Sequence, residues 1–170
     1  MLIQLSVLAC LEEDTGTSTY DLFDMIAGSS SGGLITCLIL GRRISAGQII
    51  QMALQEKLLE KMMVAHWMHR LLNKLQIRPK YTGKQKSSTL QAELANLRLS
   101  SLSKRILIPC FNLNQDRLEI FTNENSFDFL LSEIADACTA APSYYPPVRM
   151  EDGNWRMDGG VGMNNPGLSA

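Results

Sequence analysis

The spacing of apolar residues predicts helices and strands in alternation along the chain. Leucines recur every three residues from Leu2 to Leu11, so residues 1–14 are predicted to form an amphipathic helix that Gly16 ends. The apolar residues 22–27 suit a buried strand, and residues 34–40 suit a buried helix. Glycines and serines fill positions 28–33 between them. This part of the chain is therefore predicted to run strand, tight turn, helix.

The rest of the chain continues the alternation. Further helices are predicted at residues 46–63 (capped by Ser45), 64–75, 89–98 (with Ser88 and Gln91 as a capping box) and 130–139. Strands are predicted at residues 105–111 and 117–122, and a hairpin joins residues 148–150 to 155–157. We interpret this order as an α/β layer fold with a terminal hairpin.

Length and charge narrow the class of protein. A chain of 170 residues, 45% hydrophobic and 19% charged, suits one globular domain. A formal net charge of −1 gives no electrostatic reason to expect nucleic acid as a partner. No apolar run approaches the ~18 residues of a membrane-spanning helix, and the start lacks the basic residues of a secretory signal. We expect a cytoplasmic protein that can contact membranes peripherally.

The cysteines show no metal-binding or disulfide pattern. Each of the four lies in an apolar stretch, and none forms a CxxC pair. We therefore predict buried, reduced thiols rather than a zinc site or a disulfide framework. The four are Cys10, Cys37, Cys110 and Cys138.

The segment between the first strand and the second helix has the pattern of a nucleophile elbow. Residues 28–32 read Gly-Ser-Ser-Ser-Gly, a G-x-S-x-G motif in the strand–turn–helix context that the elbow requires. The register selects Ser30 as the exposed hydroxyl, and the N–H groups at the start of the following helix can stabilise an oxyanion. A Gly/Ser-rich loop without chemistry, or one that binds phosphate, remains the alternative interpretation.

A serine nucleophile needs a base, and the sequence offers few candidates. His66 and His69 lie beside Trp67 on a predicted helix and are interpreted as packing or surface residues, so a Ser–His–Asp triad is not expected. Asp158 ends a short strand and precedes two glycines, where a carboxylate can be approached closely. The spacing alone leaves Asp158 open between a general base and a turn aspartate.

These motifs, in this order, resemble the patatin-like phospholipases, a family of serine lipid acyl hydrolases. The likeness extends over nearly the whole chain, and its most specific part is the run Ala-Cys-Thr-Ala-Ala-Pro-Ser-Tyr-Tyr-Pro-Pro at residues 137–147. The matching segments are residues 11–16, 22–28, 28–33, 79–81, 106–109, 137–147, 158–161 and 164–166.

The resemblance implies a fold, a reaction and roles for individual residues. The fold would be a three-layer α/β/α sandwich of patatin type, and the reaction would cleave acyl esters of phospholipids or related glycerolipids without a metal or other cofactor. Ser30 would be the nucleophile and Asp158 its base, in a dyad without histidine. Supporting residues would be Gly28, Ser31, Gly32 and Gly33 at the elbow and oxyanion site, and Gly159 and Gly160 beside the base.

One departure from the family bears on activity. Members carry a glycine-rich Asp-Gly-Gly-Gly segment after their first strand, and it supplies oxyanion donors. The chain starts just after the corresponding position, so we expect residues 1–170 to be a patatin-like domain that lacks this strand at its N-terminus and is also shortened at its C-terminus. The alternative to an active hydrolase is a catalytically impaired patatin-like domain with a binding or regulatory role.

A further hypothesis concerns residues 58–75, which are rich in Met and Leu. Trp67 and the basic residues Lys61, Arg70 and Lys74 accompany them. This composition would suit a lid that docks on lipid, although a helix that covers the core with a solvated basic edge is the favoured interpretation.

Overall fold

The computed structural model describes residues 1–55, 57–63, 79–124 and 127–168 and shows a mixed α/β fold. The α-helices are α1 (Leu2–Thr15), α2 (Thr19–Leu22), α3 (Ser31–Arg42), α4 (Ala46–Leu54), α5 (Leu58–Met62), α6 (Lys84–Leu94) and α7 (Leu131–Cys138). The strands are β1 (Met25–Ala27), β2 (Arg105–Asn112), β3 (Arg117–Phe121), β4 (Val148–Arg149) and β5 (Trp155–Asp158). Short 3-10 helices span Leu99–Ser101, Gly159–Val161 and Pro166–Leu168. The predicted α/β class is therefore confirmed.

Strand β2 organises the sheet. Its first half pairs in parallel with β1, and its second half pairs antiparallel with both β3 and β5. Because Cys110 faces Glu119 of β3 and Asp158 of β5, those two strands lie on opposite edges of β2. The Leu107 carbonyl accepts from the Gly28 N–H that follows β1, and the Leu113 N–H donates to the Trp155 carbonyl of β5. Residues 107 and 113 are an even number of positions apart and so point to the same edge, which places β1 on the same edge of β2 as β5. The ends of β1 and β5 consequently converge at one point along β2.

Helix α3 forms the centre of the core because it is apolar on every side. Its residues from Gly33 to Leu40 are all buried, which is the expected pattern for a helix packed on several faces. It packs against β1, β2, α6 and α7. The same cluster includes Ile106, Ile108 and Cys110 from one face of β2. Burial of α3 fixes the position of its first turn, which follows β1 directly.

Several predicted element boundaries agree with the structure. Gly16 ends α1 in the left-handed conformation, with φ of 64°. Ser45 and Gln48 form a capping box at the start of α4. The hairpin of β4 and β5 turns through Gly153, whose φ is 82°.

Other predictions about the helices are wrong. The helix predicted at 46–63 is interrupted after Leu54, and Lys57 adopts a left-handed conformation before α5 begins. Helix α6 starts at Lys84 after Gly83, so Ser88 lies inside it instead of capping it. The helix predicted at 64–75 lies outside the described residues.

Burial also corrects two sequence-based expectations. Cys10 is exposed on α1, whereas Cys37, Cys110 and Cys138 are buried as predicted, and all four thiols are free. The amphipathic character of α1 is partial, since Leu5 is buried but Ile3 and Val7 are exposed. Among the described residues, no single helix has the length and apolarity to cross a bilayer; α3 and α4 meet that test only jointly, across a bend of 117°.

Candidate active site

Ser30 occupies a strained position at the junction of β1 and α3. Its φ of 53° and ψ of −122° lie in a region that residues with a side chain rarely adopt. Helix α3 begins at the next residue, Ser31, so the positive end of the helix dipole lies beside the Ser30 hydroxyl. The predicted sequence of strand, sharp turn and helix is therefore present at Ser30.

The glycines around Ser30 are placed for close backbone packing. A Cβ at Gly28 would stand 2.3 Å from the Gly32 carbonyl oxygen, and one at Gly33 would stand 2.8 Å from the Cys138 sulfur. At Gly32 the nearest atom to such a Cβ outside the helix's own backbone is the side-chain nitrogen of Gln4, at 3.8 Å. Steric need therefore explains Gly28 and Gly33, while position 32 has room for a methyl group.

Asp158 lies at the end of β5, where the sheet brings it to Ser30. The Ser30 hydroxyl donates a hydrogen bond to Asp158 Oδ2 at 2.5 Å, although 128 positions separate the two residues. Asp158 is only 5% exposed. Its other oxygen, Oδ1, accepts a hydrogen bond of 2.8 Å from the Gly160 N–H. The carboxylate is thus oriented at both oxygens, with one of them on the serine.

The two residues after Asp158 are both glycine, each for a different structural reason. A Cβ at Gly159 would lie 2.2 Å from the Pro109 carbonyl oxygen, so this position must press directly against β2. A Cβ at Gly160 would lie 3.1 Å from Asp158 Oδ1, the same oxygen to which the Gly160 N–H donates its hydrogen bond. All the residues singled out from the sequence for this site therefore lie around one hydroxyl–carboxylate contact.

The C-terminal end of α7 and the residues just after it contact Ser30 and Asp158, which was not predicted from the sequence. The Cys138 thiol lies 3.6 Å from the Ser30 carbonyl oxygen, and the Asp158 N–H donates to the Ala140 carbonyl at 3.2 Å. Burial raises the pKa of the Cys138 thiol well above its ordinary value, so it is a packing group here. The only available signal was the specific run at residues 137–147, which by itself assigns no contact.

His66 and His69 lie outside the described residues. Among the residues that the structure describes, no group of three or more His, Cys, Asp or Glu side chains is arranged to hold a metal ion.

Comparison with known proteins extends the resemblance to the whole chain. The sequence model of the patatin-like phospholipases matches residues 1–170. "Patatin-like protein 2" of Arabidopsis thaliana is 33% identical over 171 residues, covering 88% of this chain and 42% of its own length. A second Arabidopsis relative, "Probable inactive patatin-like protein 9", is 28% identical over 170 residues, covering 88% of this chain and 43% of its own length.

The fold has a counterpart among solved structures. VipD from Legionella pneumophila superposes with a TM-score of 0.54 at 13% identity, over 97% of this chain and 44% of VipD. This likeness supports the patatin-type α/β fold, and the chain spans less than half the length of the relatives it matches. The family match over residues 1–170, together with these relatives, shows that the chain belongs to the patatin-like phospholipase family.

Proposed function

We propose that the chain is the catalytic part of a lipid acyl hydrolase that cleaves fatty-acyl esters of phospholipids or related glycerolipids with a Ser30–Asp158 dyad. Family membership supports the reaction class. The observation that carries the residue assignment is the 2.5 Å hydrogen bond from the Ser30 hydroxyl to Asp158 Oδ2. That distance is within the reach that a general base requires.

The reaction proceeds in two acyl transfers. Asp158 Oδ2 takes the hydroxyl proton while Ser30 Oγ attacks the acyl carbonyl carbon. The tetrahedral intermediate collapses to an acyl-serine, and the leaving glycerolipid oxygen takes the proton from Asp158. Water then attacks the acyl-serine and gives its proton to Asp158. Release of the fatty acid returns that proton to Ser30 Oγ, which restores both residues.

The surrounding backbone supports each step. The Gly160 N–H holds Asp158 Oδ1, so Oδ2 is the oxygen left to face the serine. The Ser31 N–H and the positive end of the α3 dipole would stabilise the developing oxyanion, whereas the Gly32 N–H already donates to the Ser29 carbonyl at 2.8 Å. Gly28 and Gly159 permit the two close backbone approaches that bring serine and carboxylate together.

Substitution of each member of the dyad tests the proposal. Ser30→Ala and Asp158→Asn should each lower release of fatty acid from phospholipid vesicles by roughly 10³-fold or more, because the two groups act as a unit. Ser88→Ala and Asp14→Asn are matched controls at exposed positions. Retention of parental activity in both dyad variants would refute the assignment.

A catalytically impaired domain with a binding role is the second candidate. The observation that favours it is that the name of one matched relative includes the word inactive. A fluorophosphonate ester probe separates the two, since it reacts with an activated serine. Stoichiometric labelling of Ser30 supports the hydrolase, whereas vesicle binding by a chain that resists labelling supports the impaired domain.

A further inference from the structure

A buried lysine that the proposed reaction does not use lies next to the end of α7. Lys86 on α6 is 1% exposed, and burying an ammonium group is costly unless the protein supplies partners. Its partners are concentrated on α7. The Lys86 ammonium forms an ion pair of 2.9 Å with Asp136 and donates to the Asp136 carbonyl oxygen at 2.7 Å.

The same ammonium group reaches the residues that follow α7. It donates to Thr139 Oγ1 at 3.2 Å, and it lies 4.3 Å from the centre of the Tyr145 ring. A positive charge at this place also compensates the negative end of the α7 dipole. Lys86 therefore fixes the C-terminal turn of α7 on one side and the loop after it on the other.

This turn holds both members of the dyad. Cys138, the last residue of α7, contacts the Ser30 carbonyl oxygen at 3.6 Å. Ala140 is tied to the helix by its N–H bond to the Ala137 carbonyl, and its own carbonyl accepts from the Asp158 N–H at 3.2 Å. A shift of this turn would consequently change the separation of the Ser30 hydroxyl from the Asp158 carboxylate.

We propose that Lys86 is a positioning residue, which fixes the C-terminal turn of α7 and through it the spacing of Ser30 and Asp158. The inference rests on the proposed function, because it assigns Lys86 a part in that site. A displacement of about 1 Å can lower a rate by 10²-fold even when the altered residue is remote from the reacting atoms. Removing the ammonium should thus affect the chemical step more than binding.

The test uses a variant that removes the tether without leaving an unpaired buried charge. Lys86→Met combined with Asp136→Asn keeps the side-chain volumes similar and retains an oxygen to accept the Ser87 hydroxyl bond. Lys84→Met is the matched control, since Lys84 is exposed on the same helix. The readouts are the rate of fluorophosphonate labelling of Ser30, kcat and KM for a soluble p-nitrophenyl ester, and amide hydrogen exchange of Asp158.

In the double variant we expect labelling and kcat to fall by about tenfold or more, with KM within about twofold of the parent. The Asp158 amide should exchange about tenfold faster, because its acceptor Ala140 is no longer fixed. Labelling and kcat within about twofold of the parent would overturn the inference, whatever the exchange rate. A purely structural lysine would lower stability without this separation of kcat from KM.

Two further arms keep the outcomes distinct. If Ser30 of the parent chain is not labelled, the proposed function fails. Faster exchange of the Asp158 amide in the double variant would then still support positioning by Lys86, and unchanged exchange would overturn it. If the double variant does not fold, Thr139→Val and Thr139→Ser replace it. Valine removes the Oγ1 acceptor of Lys86 together with the hydroxyl's own bond to the Ala135 carbonyl at 2.7 Å, and it should slow labelling. Serine keeps both bonds and should restore the rate, and equal rates in both variants would overturn the inference.

Discussion

Gly28 lies directly against Gly32, so that a Cβ at Gly28 would stand 2.3 Å from the Gly32 carbonyl oxygen. Gly28→Ala should therefore force the elbow backbone apart, which costs about 1–3 kcal/mol or more of unfolding free energy, and should abolish labelling of Ser30. Gly32→Ala is the matched control, because its methyl group has room and helical alanine is favoured by about 0.5–1 kcal/mol. Thermal unfolding of both variants checks this; equal losses of stability would contradict it.

Two arginines that share one carboxylate should differ in their contribution to stability. Arg156 is 2% exposed, packs against the rings of both Phe121 and Phe129, and binds both Glu119 and Asp152. Arg156→Met would leave those carboxylates without their buried partner and should cost about 3–5 kcal/mol.

Arg117→Met is the control for this pair. Arg117 also contacts Glu119, but its side chain is 64% exposed and the distance is 3.6 Å, so its loss should cost about 0–1 kcal/mol. Denaturant unfolding measures both values. A loss at Arg117 as large as that at Arg156 would show that burial does not set the difference.

Acid should weaken the fold partly through Asp152. Hydrogen bonds from Arg156 lower the pKa of Asp152 from 3.8 to about 2, against the opposing effect of burial. Since the folded pKa lies below the unfolded one, the stabilisation is complete above about pH 4 and is lost as the pH falls towards 2. Asp152→Asn should lower Tm at neutral pH, and the deficit should shrink progressively below pH 4.

Asp14→Asn provides the comparison for a carboxylate that is exposed on α1. Removing this exposed carboxylate should change Tm at neutral pH by less than Asp152→Asn does. A deficit for Asp152→Asn that stays constant between pH 5 and pH 2 would exclude the ion pair with Arg156 as its source.

The cysteines should react in two classes. Cys10 is exposed, whereas Cys37, Cys110 and Cys138 are buried; burial raises the pKa of Cys37 to about 12 and the pKa of the other two buried thiols well above 9.0. Since the thiolate is the reactive form, iodoacetamide should modify Cys10 alone in the native chain. Peptide mass spectrometry before and after unfolding measures this, and rapid native modification of Cys138 would contradict the packing of α7 on Ser30.

Motifs with strong local constraints were predicted well from the sequence. The turn between strand and helix at Ser30, the strand end at Asp158 and the hairpin turn at Gly153 each depend on a few neighbouring residues, and all three lie where the pattern placed them. The start of α6 was misplaced because Ser88 and Gln91 imitate a capping box inside a helix that Gly83 begins.

Features that depend on distant residues were not predictable in this way. A lysine in a polar stretch of helix is expected in solvent, and only the folded position of Asp136 and Thr139 explains why Lys86 is buried. The exposure of Cys10 likewise follows from which face of α1 packs on α4. The 2.5 Å hydrogen bond from the Ser30 hydroxyl to Asp158 also joins residues 128 positions apart, so the local sequence around Asp158 does not reveal it.

The pairing of β2 has a consequence for folding kinetics. Ser30 follows β1 and Asp158 ends β5, and both strands align along one edge of β2. Neither partner is placed until two pairings between distant parts of the chain have formed, and such contacts of high sequence separation form slowly. Under the proposed function, a nascent chain would emerge from the ribosome as a latent hydrolase and would acquire reactivity towards lipid only when β5 has been synthesised and docked.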